Sequence, residues 1–128
     1  MKKMKLMLIA LTMTTGLSAQ AAQLLGSTHL ARHYTDLDVI KMTPAKCGLK
    51  KIKLKVTKRK ADIEEIAVQY AATGNWDFLP VRKNFKRGSE SRWIDLRGNN
   101  NRCIKKIAVV GDSDGLPFRQ AKITVFGK

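Results

Sequence analysis

From residue 51 the chain alternates strictly. In Lys51-Ile52-Lys53-Leu54-Lys55-Val56 the period is two, which puts Ile52, Leu54 and Val56 on one face of a strand and the lysines on the other. Apolar or alternating runs recur along the chain: Leu24 to Leu30, Asp36 to Ile40, Ile63 to Tyr70, Trp76 to Val81, Arg92 to Leu96, Ile104 to Val110 and Ala121 to Phe126. Turn-forming stretches separate them, among them Pro44, Thr57 to Lys60, Ala71 to Asn75, Lys83 to Ser91, Gly98 to Asn101 and Gly111 to Pro117. Pro80 has no N–H to give a ladder, so the Trp76 strand belongs at a sheet edge. The segment from Ala61 to Ala72 also admits a helix, because Glu64, Glu65 and Ala72 favour one. Its counterpart, Lys122 to Phe126, is β-branched and aromatic, and that decides for strand. About eight short strands in roughly a hundred residues predict an all-β, antiparallel β-sandwich.

The pattern occurs twice. Lys46-Cys47-Gly48-Leu49-Lys50-Lys51-Ile52 is echoed by Asn101-Arg102-Cys103-Ile104-Lys105-Lys106-Ile107, and Ile66 to Tyr70 by Ile123 to Gly127. Two similar four-strand units follow, pseudo-repeats 22–74 and 75–128 of a single domain. One cysteine per unit would then pin the start of one third strand to the start of the other.

The first 21 residues read as an address. Lys2, Lys3 and Lys5 make a basic head, Leu6 to Leu17 an apolar core of a dozen residues, and Ala19-Gln20-Ala21 a peptidase site. That is a secretory signal, too short and wrongly flanked to remain as a spanning helix. Its short, lysine-rich head is of a bacterial kind, which places the mature product in the periplasm or outside. Without Lys2, Lys3 and Lys5 the chain keeps 22 Lys and Arg against 10 Asp and Glu, a net charge of +12. In an exported protein such a balance points to anionic partners: lipopolysaccharide, acidic glycan, an anionic membrane surface, or, less favoured, nucleic acid. Plain solubility is the competing explanation.

Cys47 and Cys103 are the only cysteines, in a compartment that favours oxidation. A bond between them closes a loop of about 57 residues, which chain entropy values at about 4 kcal/mol. Neither cysteine has the CxxC or CxH spacing of a metal site.

The stretches Leu24-Leu25-Gly26, Pro44-Ala45-Lys46-Cys47, Trp93-Ile94-Asp95-Leu96 and Asn101 to Ile107 together resemble the YaaI-type family of small exported bacterial proteins, whose function is unknown. The similarity runs through nearly all of the mature chain. It implies export, a disulfide and a β domain, and it implies no reaction. The chain is more basic than the family pattern requires.

Candidate chemistry is correspondingly simple. Lys51, Lys53 and Lys55 stand about 7 Å apart along one strand face, and Lys58, Arg59, Lys60 and Lys106 extend the charge. Ammonium groups so spaced suit phosphates, sulfates or carboxylates. The competing role is a solvated face or a guarded edge, with Glu65 pairing one of the lysines. A second basic group, Arg82, Lys83, Lys86, Arg87 and Arg92, surrounds Phe85, which either stacks on a ligand or anchors a loop. Trp76 and Trp93 are expected to pack in the core.

Asp112-Ser113-Asp114-Gly115 lacks the further oxygen ligands of a calcium loop and reads as a turn. His29 and His33, with Asp36 and Asp38, are too sparse for a metal site, and no metal or other cofactor is expected. No GxSxG, free cysteine or phosphate loop is present, and pairs such as Asp36/Asp38 or Asp95/Asp112 cannot be spaced from sequence. The expectation is an exported non-enzymatic binding or envelope-associated module with a basic face. A structural or protein-interaction module for an acidic partner, and a small hydrolase using His29 or His33, are the alternatives.

Overall fold

The structure is a computed structural model that describes residues 22–30, 36–97, 103–113 and 120–128, of which 36–38 are described by backbone alone. Residues 1–21, read above as a secretory signal, His33, the expected turn at 98–101, Arg102 of the repeated motif, and Asp114 lie outside the described residues. Strands β1 (Gln23–His29), β2 (Asp36–Cys47), β3 (Lys51–Thr57), β4 (Ala61–Tyr70), β5 (Trp76–Phe85), β6 (Ile94–Asp95), β7 (Cys103–Ser113) and β8 (Lys122–Gly127) follow in chain order. They form two antiparallel sheets, β1-β8-β3-β6 and β2-β7-β4-β5. The first is called the lysine sheet below.

Strand order is unchanged by exchanging the halves of the chain. Moving each strand of the lysine sheet four places along turns β1-β8-β3-β6 into β5-β4-β7-β2, which is the second sheet read backwards. The cysteines do not share this equivalence. Cys47 ends β2, Cys103 begins β7, and the two stand directly opposite each other within one sheet. The disulfide therefore ties the second strand to the seventh. It does not join the starts of two third strands, because β3 and β7 lie in different sheets.

Alternation builds the core. Ile52, Leu54 and Val56 of β3 and Ile123 and Val125 of β8 point inward against Ile63, Ile66 and Val68 of β4 and Ile107 and Val109 of β7, all essentially inaccessible to solvent. Several strands outrun their sequence reading. β2 continues through Pro44, tolerated because β2 is an edge strand, and β5 continues through Phe85. Pro80 likewise sits on the edge strand β5. Gly111 is an inward position of β7 where a Cβ would collide with the backbone of Asp62 and Ile63, so only glycine lets β7 and β4 approach there.

The open edge of β3 is closed by the segment 88–97. Val56 N–H donates to the Ser89 carbonyl at 2.9 Å, Gly88 N–H to the Val56 carbonyl at 2.7 Å, and Leu96 N–H to the Lys50 carbonyl at 2.8 Å. Between them Ser91 bonds twice: its N–H donates to the Leu54 carbonyl, and its Oγ accepts from Leu54 N–H, both at 2.9 Å. Such a strap satisfies ladder groups that would otherwise invite another chain.

Candidate functional site

The outward face of the lysine sheet is set by register. Lys53 stands opposite Phe126, Lys55 opposite Thr124, and Thr57 opposite Lys122. On the far side of β8, Leu24 of β1 stands opposite Phe126, Ser27 opposite Thr124, and His29 opposite Lys122. Because directly opposed residues of antiparallel strands share a face, Lys51, Lys53, Lys55 and Lys122 project together. Lys128 joins them, held by hydrogen bonds from Lys50 N–H at 2.7 Å and Lys51 N–H at 2.9 Å to its carbonyl. All five are lysines on one sheet.

The strap supplies the counter-charges. Lys53 Nζ lies 2.9 Å from Glu90 Oε1 and Lys51 Nζ 3.6 Å from Asp95 Oδ1. Glu65, expected to be the pairing carboxylate, belongs to β4 in the other sheet and takes no part. Among the described residues Lys55 and Lys122 have no ion-pair partner. The hydrogen bond from Lys53, then its charge, holds the Glu90 carboxyl below its ordinary value; Lys55 adds to this, and slight desolvation opposes it.

Trp93 rises from the strap into the same face. Lys128 Nζ lies 4.4 Å and Lys53 Nζ 4.9 Å from the ring centroid, within cation–π range. Trp93 and Trp76 are both half-buried and neither belongs to the core cluster, contrary to expectation. The face thus crosses a column of ammonium groups with a row of apolar side chains, Leu24, Phe126 and Trp93. Leu24 is 64% exposed, the most exposed large hydrophobic side chain among the described residues.

Other candidates scatter. Lys106 projects from β7 beside Lys41, on the second sheet, and does not extend the lysine row. Lys58, Arg59 and Lys60 form the β3–β4 turn at the end of that row. Arg82 and Lys83 lie on β5, at the edge of the second sheet, with Lys86 and Arg87 just beyond; Arg92 is in the strap, so the second basic group is divided. Phe85 is 2% exposed, a core anchor with Lys83 Nζ 5.4 Å from its ring, which removes the stacking role. Asp95 and Asp112 occupy different sheets, whereas Asp112 stands opposite Asp62. These two, with Lys60, Asn84 and Lys86, line an open hollow of about 500 Å³ in which carboxylates and ammonium groups are matched in number. His29 is exposed on β1, and no three His, Cys, Asp or Glu side chains converge among the described residues.

Lys122, Lys128, Glu90 and Trp93 were the members that sequence reasoning missed. Only pairing register and the strap bring Lys128, Glu90 and Trp93 beside Lys53 and Lys122 beside Thr57; Lys122 alone left a sign, alternating with inward Ile123 and Val125. The family described as Domain of unknown function (DUF2541) matches residues 4–127. No curated protein and no solved structure matches the chain.

Proposed function

The chain belongs to the DUF2541 family, whose function is unknown, and from that premise we propose that it is an exported, non-enzymatic binding module that takes anionic ligands on the outward face of the lysine sheet. One observation carries this reading: Lys51, Lys53, Lys55, Lys122 and Lys128 share a face with two outward carboxylates, Glu90 and Asp95. The excess of positive charge is held on a rigid sheet, and so is preorganised for a ligand bearing several phosphates or carboxylates. The secretory pattern of residues 1–21 and the YaaI-like motifs support a periplasmic or secreted bacterial product. The Cys47–Cys103 disulfide is consistent with such an oxidising compartment.

The test is salt-titrated binding to lipopolysaccharide, anionic vesicles, heparin and DNA. Lys55→Gln with Lys122→Gln removes two of the three lysines of this face that have no ion-pair partner among the described residues, and leaves the Lys51 and Lys53 pairs intact. Lys41→Gln with Lys106→Gln removes the same charge from the other sheet and serves as control. The proposal expects binding that falls steeply with salt and is weakened by the first pair of changes much more than by the second. Equal loss from both pairs would mean that net charge, and no particular face, attracts anions.

A further inference from the structure

We infer that the anionic ligand of the lysine sheet is a lipid surface, which the Leu24–Phe126–Trp93 row enters while the surrounding lysines meet the headgroups. This inference rests on the reading above and names its ligand. A soluble acidic polymer asks only for charge. This face offers charge crossed by a row of apolar side chains.

Leu24, on edge strand β1, projects a 64% exposed aliphatic chain beside Phe126, its register partner. Phe126 in turn opposes Lys53, on whose other side stands Trp93. The Lys53 side chain is only 23% exposed; it stands between Phe126 and Trp93, and its ammonium group lies 2.9 Å from Glu90 Oε1 and 4.9 Å from the Trp93 centroid. That is how a lysine lies at an interface, stem in apolar surroundings and head in polar ones. Tryptophan favours the same depth, where its ring is apolar and its N–H is wet.

The charge on this face complements an anionic leaflet. Lys51 and Lys128 lie on one side of the apolar row and Lys55 and Lys122 on the other, and each lysine near such a surface is worth roughly fivefold in partitioning. Glu90 and Asp95 lie with the strap at one margin of the sheet and are already engaged by Lys53 and Lys51. His29, at the far end opposite Lys122, brings no negative charge to the face, because an imidazole is never an anion there. The mode is peripheral: side chains enter the headgroup region, and the domain stays outside.

The experiment uses vesicles of phosphatidylglycerol with phosphatidylcholine, vesicles of phosphatidylcholine alone, and heparin as a soluble polyanion. Trp76→Phe leaves Trp93 as the only tryptophan, since the chain has two. Binding to the mixed vesicles is expected, with a blue shift of Trp93 emission and quenching by brominated acyl chains. Leu24→Ser is expected to weaken vesicle binding about tenfold and to leave heparin binding unchanged. Leu24→Trp is expected to strengthen it. Circular dichroism checks that both variants fold, which the exposure of Leu24 favours.

If Leu24→Ser has no effect on vesicles and Trp93 is not quenched, the lipid inference is overturned while the anion-binding reading stands. If neither vesicles nor heparin bind at low salt, both fail together.

Discussion

Lys53 and Glu90 meet at 2.9 Å across the boundary between β3 and the strap, two elements nearly forty residues apart in sequence. Glu90 should therefore titrate below its ordinary value of 4.5. A carboxylate with a depressed folded pKa adds stability above its unfolded value and loses it as pH falls through the folded one. The loss here begins near 4.5 and proceeds downward. Carboxyl NMR titration is expected to show this, with Lys53→Gln moving the midpoint back up. A wild-type midpoint at or above 4.5 would show that the pair does not form.

Ser91 closes the strap from within. It is 7% exposed, and its Oγ accepts from Leu54 N–H and donates to the Arg92 carbonyl at 2.7 Å. Ser91→Ala would leave the buried Leu54 N–H without its partner, at a cost of about 1–3 kcal/mol. Ser89 Oγ also donates to a carbonyl, that of Lys86, but at an exposed position. Ser89→Ala should change stability by less than about 0.5 kcal/mol. Urea unfolding of the two variants makes the comparison.

Reducing the Cys47–Cys103 bond, or replacing both cysteines by serine, should destabilise the fold by about 4 kcal/mol through the loop it closes. The bond joins β2 to β7 at the end of their ladder. Hydrogen exchange in the reduced protein should therefore rise first at Lys46 and Ile104. Uniform exchange through the whole sheet would indicate global loss instead.

Gly111→Ala places a methyl against the Asp62 carbonyl and the Ile63 backbone. Backbone cannot rotate away as a side chain would, so β7 and β4 must part locally, at a cost of about 1–3 kcal/mol. Gly74→Ala meets no neighbouring atom, but Gly74 has φ 73°, a conformation alanine adopts only under strain of roughly 1 kcal/mol. Thermal melts should rank Gly111→Ala as the more damaging.

Part of this protein is local. Alternation at Lys51–Val56 is enough to specify a half-buried strand, since strand side chains alternate whatever the partner. Pro80 announces an edge because it lacks a donor. Cys47 and Cys103, the only cysteines, have only each other within the chain. The all-β sandwich and its disulfide follow from such short-range facts.

Pairing is not local, and it decided the rest. Lys106 has the same neighbours in sequence as Lys51 and is nevertheless on the other sheet, because β7 pairs with β2 and β4 while β3 pairs with β8. Trp93 looked like a core residue by type; the strap carries it over Lys53 and Lys128 at the surface. Lys122 comes beside Lys55 and Thr57 only through the β3–β8 register. A strand's own residues determine which side chains alternate inward, but the partner strand determines which outward side chains become neighbours. A candidate site built across three strands and a strap therefore exists only in the folded chain.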